Sequence, residues 1–496
     1  MSYVIGIDLG TSAVKALLVN KQGNVVEETS KEYPLIHEKS GYSEQDPEQW
    51  VNQTIAAISE LTAKIEDANL IEGISFSGQM HGLVLLDEQA KPLRHAILWN
   101  DTRTTAECRE IEDRVGIESL HSITKNPALE GFTLPKLLWV KKNEAEIFTK
   151  ASSFVLPKDY LRYRLTGELH MEYSDAAGTL LLDVADKSWS KQICEKVGIP
   201  YALCPPLVAS HTKVGIVLPD VAEQCGLAKV DVFAGGADNA CGAIGSGILE
   251  DGVTLCSTGT SGVVLSYEKE GNKDFGGKVH YFNHGEESAF YTMGVTLAAG
   301  YSLSWFKETF AADLSFEDLL NLASESPEGA KGLLFTPYIV GERTPHADAD
   351  IRGSFIGMHA SHTLGDFARA VIEGITFSLN ETVEVFRENG KIVDKVISIG
   401  GGAKSDLWLQ IQADIFNAEV VKLKNEQGPG MGAAMLAAYG LGWFPSLKEC
   451  ANQFVEKSDV FTPSSTNVAL YKKIFKLYKD VYPQTKELNK ELVSFR

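Results

Sequence analysis

The chain has 496 residues, with 46 lysines and arginines against 66 aspartates and glutamates, and a formal net charge of −20. That length exceeds what one hydrophobic core serves, so two or more domains are expected, and 44% hydrophobic with 23% charged residues is an ordinary globular composition. The acidic balance, with no dense basic stripe, excludes nucleic acid as a partner, and no apolar run approaches the length of a membrane span.

The opening reads as strand Val4–Asp8, a turn, strand Ala13–Val19, a turn at 20–24 and strand Val25–Ser30, an antiparallel meander rather than a signal peptide. A helix is expected from Pro47 to Leu61, capped by Asp46, and then a short buried strand Ile71–Ser75. The second half repeats this beginning: Val253–Leu255, a turn, Val263–Tyr267, a turn at 270–272 and Val279–Phe282. A long amphipathic helix Asp366–Arg387 follows, then strands Lys395–Ile399 and Glu419–Leu423. The glycine-rich stretch 428–432 leads into a helix Ala433–Tyr439. The domain boundary falls near 245–252. With no flexible linker, the two halves are expected to sit together around a cleft. Seven cysteines stand singly without a C-x-x-C pair, which argues against a disulfide framework or zinc site and for a reducing, cytoplasmic setting.

One pattern occurs twice. Gly10-Thr11-Ser12-Ala13-Val14 and Gly259-Thr260-Ser261-Gly262-Val263 each join two apolar strands. Glycine bares backbone N–H groups at such a turn and the hydroxyls add donors, a combination that suits phosphate. Two such turns, one per half, are expected to grip one polyphosphate; each alone also reads as an ordinary hairpin turn. There is no Walker-A sequence. Gly428-x-Gly430-x-x-Ala433 matches the loose dinucleotide fingerprint but lacks its context, and reads better as a helix N-terminus beside a nucleotide.

Two acids draw attention. Asp238 follows an apolar strand and two glycines, and either accepts a proton from a ligand or caps the helix that begins there and runs through Ala243–Ile248. Asp8 lies inside an apolar strand, where a carboxylate needs a metal, a charge partner or a bond to the adjacent turn. Gly78-Gln79-Met80-His81-Gly82 offers polar groups for hydroxyl recognition. Arg103 binds an anion or pairs with Asp101, and the contacts of Gly341–His346 are not legible. Cys241 and Cys256 read as packing residues.

Two long spaced stretches carry a resemblance. Gly131-Phe132-Thr133-Leu134-Pro135-Lys136-Leu137-Leu138-Trp139-Val140 with Lys142-Asn143 is one; the other opens at Gly353-Ser354-Phe355-Ile356-Gly357 and closes at Ala370-Val371-Ile372-Glu373. On these, and over nearly its full length, the chain resembles the FGGY family of carbohydrate kinases. The resemblance implies an α/β fold of two ribonuclease-H-like domains, as in the actin-like ATPase superfamily, with a catalytic cleft between them. Residues 1–247 would bind sugar and supply the base, and 248–496 would bind nucleotide. Within the family, stretches such as 43–50, 78–82, 97–101, 156–160, 174–179 and 341–346 are similar to members that act on D-xylulose. Glycerol kinases carry Arg-Glu at Met80-His81.

The resemblance further implies roles. Asp238 is the catalytic base, with Asn239, Met80 and His81 in the sugar pocket. Asp8 is the acid near Mg²⁺ and the phosphates, Thr11, Gly259 and Thr260 are the phosphate loops, and Gly401 and Gly402 lie against adenosine. The implied activity is ATP- and Mg²⁺-dependent phosphorylation of D-xylulose to D-xylulose 5-phosphate in D-xylose catabolism. Oligomeric state is unreadable, though such kinases are often homodimers. A chaperone-like or filament-forming ATPase would leave the Gly78–Gly82 and Asp238-Asn239 groups without a purpose. A non-catalytic sugar sensor would not need both acids.

Overall fold

A computed structural model describes residues 2–496. Its two principal sheets, each of seven strands, repeat one topology. In the first, β1 (Tyr3–Leu9), β2 (Ala13–Asn20) and β3 (Val25–Glu32) form the antiparallel meander. Helix α1 (Pro47–Ala63) follows, its first turn fixed by Pro47 and by the Asp46 carboxylate, which accepts from the Glu48 N–H at 3.0 Å. It buries Trp50, Ile58 and Leu61 against the sheet, each worth roughly 1.5–3 kcal/mol relative to exposure. Next come β4 (Ile71–Gly78), helix α2 (Thr133–Asn143), β5 (Lys213–Ile216), β6 (Asp231–Phe233) and helix α3 (Asp238–Gly245). The strand order is β5-β6-β4-β1-β2-β3, with the two-residue strand Gly236–Ala237 also on β4. β1, β4 and β6 run parallel, so their carboxyl ends share one edge.

The second sheet contains β7 (Val253–Thr258), β8 (Gly262–Glu268), β9 (His280–Asn283) and β10 (Phe290–Thr296). After helix α4 (Leu364–Glu388) come β11 (Lys395–Gly400), helix α5 (Asp406–Phe416), β12 (Glu419–Leu423), helix α6 (Gly428–Gly440), β13 (Lys457–Phe461) and helix α7 (Ser465–Leu492). The order is β9-β10-β8-β7-β11-β12-β13. The repeat is real, but its third strand is not the expected one. β10 pairs with β8, from Gly262↔Thr296 to Glu268↔Phe290, and the predicted Val279–Phe282 strand is displaced to the edge as β9. β10 is buried along nearly its whole length, so it lacks the polar alternation that marks a half-exposed strand.

One helix begins earlier than the sequence suggests, and another differs at its cap. α3 starts at Asp238 as expected, but Asp238 is its first residue and Ala237 is the cap position, so the N-cap alternative is not met. α6 includes the whole glycine-rich stretch from Gly428. Those glycines let backbones touch. A Cβ on Gly432 would lie 1.9 Å from the Cys241 carbonyl oxygen of α3, and one on Gly6 of β1 would lie 2.1 Å from the Gly430 oxygen. α6, late in the sequence, therefore packs on β1, β4 and α3 of the first half. One hydrophobic core holds side chains of both halves, Met80 and Phe132 together with Phe282 and Tyr291. Among the described residues no helix is long and apolar enough to cross a membrane.

Candidate active site

The register brings three separate segments to one edge. Asp8 lies opposite Ser77, Leu9 opposite Gly78, and Ser77 and Gly78 opposite Gly236 and Ala237. The chain leaving β4 carries Met80 and His81, and the chain leaving Gly236–Ala237 carries Asp238 and Asn239. All stand at the carboxyl ends of parallel strands, where ligands bind in open α/β sheets.

Asp238 is fixed from behind. Glu172, fully buried, accepts hydrogen bonds at 2.8 Å from Ser174 N, Asp175 N and the hydroxyls of Ser174 and Ser210. The Ser174 Oγ in turn accepts from Ala237 N at 2.9 Å, holding the residue just before Asp238. Beneath lies a buried charge cluster in which Lys158 Nζ is 2.7 Å from Asp159 Oδ1 and 3.2 Å from Asp175 Oδ2. At the front, Asn239 donates to Asp238 Oδ1 from its backbone N at 2.6 Å and from Nδ2 at 3.0 Å. Burial, and then the negative charge of Asp8, push the Asp238 carboxyl up to about 7, with the Asn239 bonds opposing.

His81 takes a left-handed backbone (φ 68°), uncommon for a residue with a Cβ. Its carbonyl accepts from Thr133 Oγ1 at 3.0 Å and Lys136 Nζ at 3.1 Å, both on α2. Its Nδ1 lies 2.6 Å from the Gly178 carbonyl oxygen. A carbonyl only accepts, so Nδ1 carries the hydrogen and Nε2 is left as an acceptor in the neutral ring. Burial lowers the His81 pKa to about 3, so the ring is neutral at pH 7. The Met80 sulfur receives Asn239 Nδ2 at 3.7 Å and the Tyr291 hydroxyl of β10 at 3.9 Å.

Asp8 faces Lys15 across the β1–β2 pair and Ser77 across the β1–β4 pair. Burial raises its pKa, with Ser77 and Lys15 opposing. Its carboxylate takes no hydrogen bond from the 10–12 turn among the described residues, which removes that structural reading. Lys15 Nζ bonds Gln427 Oε1 at 3.0 Å, at the start of α6. No group of three metal-ligating side chains occurs among the described residues. Asp8 instead offers one hard oxygen donor, of the kind Mg²⁺ uses when phosphates supply the rest. Thr11 Oγ1 accepts from Trp99 Nε1 at 2.9 Å.

In the second half, Gly259, Thr260, Gly401 and Gly402 line one pocket of about 530 Å³. They meet because β7 and β11 are parallel neighbours with Thr258 opposite Gly400. Gly400 is left-handed (φ 83°), and a Cβ there would lie 2.7 Å from the Thr258 oxygen. Tyr301, Phe316, Leu320 and Trp408 form an apolar wall fit for a flat ring. The start of α6 docks through its glycines on β1 beside Asp8, and Glu426 just before it accepts from Gly400 N at 2.8 Å, next to Gly401 of this pocket.

Sequence reasoning missed several contributors and set Gly300 aside. Gly300 N donates to Gly259 O at 2.8 Å, and Tyr301 N to Thr260 O at 3.1 Å, so the start of the 300–310 helix braces the turn. Tyr291 lay in a strand without a recognisable pattern. The Gly341–His346 loop bonds β10, with Thr344 N and Oγ1 both 3.0 Å from Val295 backbone atoms. Arg103 pairs with Asp101 at 2.6 Å and stacks on Tyr42, which settles its role as structural. Cys241 and Cys256 are buried packing residues.

Known proteins share this fold. Residues 3–245 match the N-terminal domain of the FGGY family of carbohydrate kinases, and residues 254–441 match its C-terminal domain. The chain is 63% identical to a xylulose kinase of Bacillus subtilis (strain 168) over the whole of both chains. It is 52% identical to a xylulose kinase of Staphylococcus epidermidis (strain ATCC 12228 / FDA PCI 1200) over 99% of this chain and 98% of that one. The crystal structure of ligand-bound xylulose kinase from Lactobacillus acidophilus superposes with a TM-score of 0.94 at 29% identity, covering 99% of this chain and 100% of that one. The duplicated sheet and the two family domains together mean that this chain belongs to the FGGY family of carbohydrate kinases.

Proposed function

We propose that this chain transfers the γ-phosphoryl group of ATP to the 5-hydroxyl of D-xylulose, giving D-xylulose 5-phosphate and ADP in D-xylose catabolism. The full-length relatives named xylulose kinase support the acceptor. The observation that carries the mechanism is Asp238, a carboxyl raised to about 7 at the carboxyl edge of the first sheet, beside Met80, His81 and Asn239.

In this reading the first half holds the sugar and the second half the nucleotide. The neutral His81 ring accepts from a sugar hydroxyl, and Asn239 keeps the Asp238 carboxylate oriented. Asp238 takes the 5-hydroxyl proton as that oxygen bonds to the γ-phosphorus and the bond from the γ-phosphorus to the bridging oxygen breaks, releasing ADP. Phosphoryl transfer passes through a loose transition state, so positioning and charge neutralisation matter more than strong basicity, and a carboxylate suffices. The Thr260 backbone N–H and hydroxyl, on a turn that Gly259 closes by donating to Ser261 O at 3.0 Å, face the phosphates with the Thr11 turn opposite, and the pocket with Gly401 and Gly402 takes the adenosine. Asp8 would hold Mg²⁺, which when bound neutralises phosphate charge. That a buried carboxylate whose charge reaches Asp238 takes no bond from its own turn supports this assignment.

The test is ADP release from Mg²⁺-ATP with D-xylulose, D-ribulose, L-ribulose, gluconate, glycerol and no sugar. Selective stimulation by D-xylulose is expected. Equal turnover without sugar would overturn the acceptor assignment.

A further inference from the structure

Tyr291 is fully buried, on a strand of the second sheet, yet it reaches the sugar-facing residues of the first half. Among the described residues its hydroxyl has one hydrogen-bond partner, the Met80 sulfur at 3.9 Å. The same sulfur receives Asn239 Nδ2 at 3.7 Å, and that amide is 3.0 Å from Asp238 Oδ1. A thioether is a weak acceptor, and a buried phenol satisfied only by one gives up most of what water offered it. Phenylalanine would fill the same space without that cost. The ring is held by Phe282 at 5.5 Å and His284 at 6.2 Å between centroids, so the hydroxyl is aimed and not merely accommodated. Burial and the charge of Asp238 both push the phenol upward, which keeps it protonated and a donor.

We propose that Tyr291 is a positioning residue for the acceptor sugar: its hydroxyl, supplied by the second half, holds Met80 against Asn239 and so fixes the wall of the pocket that selects the pentulose. This inference rests on the reading of Met80, Asn239 and Asp238 as the acceptor pocket. It makes sugar selection depend on contact between the halves. Removing the hydroxyl frees the Met80 side chain, whose three rotatable bonds let it occupy several positions.

The experiment compares wild type, Tyr291→Phe, Met80→Leu and the double variant in steady-state kinetics with D-xylulose and D-ribulose. Tyr281→Phe serves as a control, since it removes another buried hydroxyl of the same sheet, one bonded to the Glu270 carbonyl and not to Met80. Tyr291→Phe is expected to raise KM for D-xylulose about fivefold, leave KM for ATP unchanged and lower the preference for D-xylulose over D-ribulose. Tyr281→Phe should change none of these. Met80→Leu should reproduce the effect, and the double variant should be no worse than the more severe single one. The inference is overturned if Tyr291→Phe leaves KM and preference at wild-type values, if it lowers only stability and kcat, or if the two substitutions multiply. A wild type that D-xylulose does not stimulate would instead overturn the acceptor assignment itself.

Discussion

Asp8 on β1 and Asp238 at the start of α3 share one edge of one sheet, and after burial the charge of Asp8 is the largest influence raising the Asp238 carboxyl to about 7. Two carboxylates so placed disfavour each other's ionisation. A cation or a neutral substitution at position 8 relieves that repulsion.

The first consequence concerns pH. With Asp238 near 7 in the free enzyme, kcat/KM for D-xylulose should climb from pH 5.5 to pH 8 as the base loses its proton. Asp8→Asn removes the like charge and should move that rising limb to lower pH, even though overall activity falls. A pH–rate series on both proteins checks this, and a limb that stays in place would contradict the coupling.

Asp238→Asn should reduce kcat by about 10²–10⁴, the usual contribution of a general base, with circular dichroism unchanged. It should also stabilise the fold at high pH. The folded carboxyl keeps its proton up to about 7 against an ordinary 3.8, so ionising it costs folding free energy as pH rises through that interval. The variant should therefore melt about 4 °C above wild type at pH 8, with nearly all of the gain gone at pH 4. Melting curves at the two pH values decide it.

Gly300→Ala should act on nucleotide and not on sugar. A Cβ there would lie 2.5 Å from the Gly259 carbonyl oxygen and would push the turn away from its place. KM for ATP should rise about tenfold with KM for D-xylulose little changed, the signature of lost binding on one side only. Initial-rate measurements varying each substrate in turn separate the two.

Gly432→Ala and Gly242→Ala form a contrasting pair. At Gly432 the new methyl would meet the Cys241 carbonyl at 1.9 Å, where backbone must move, and the expected cost is about 3 kcal/mol. At Gly242, on the partner helix α3, the nearest atom would be 3.9 Å away, in ordinary contact. That substitution should be tolerated or slightly stabilising, since alanine favours helix. Urea unfolding of the two variants reads the difference.

The residues proposed to carry the chemistry stand out in the sequence because they sit where strands end. The Gly10-Thr11-Ser12 and Gly259-Thr260-Ser261 echo announced a duplicated sheet, and the apolar runs before Asp8, Gln79 and Asp238 announced strand ends that polar residues follow. Local propensity and period suffice for that, because strand, turn and cap are decided within a few residues. Position 238 left one alternative open that the fold closed. The acid is the first residue of its helix and not the cap before it, a one-residue distinction that the glycine- and alanine-rich run does not mark.

By itself, then, the sequence determined the strand–turn–strand starts of the two sheets and marked the two acids proposed for the site, all products of short-range pattern. Tertiary structure alone decided that β10 and not β9 completes the second meander, that α6 returns from the second half to pack on β1, and that Tyr291 reaches Met80. The physical reason is common to all three. Each depends on a fit between surfaces distant in the chain: a buried strand without alternation, glycines that matter only when another backbone arrives, and a hydroxyl whose partner lies 211 residues away.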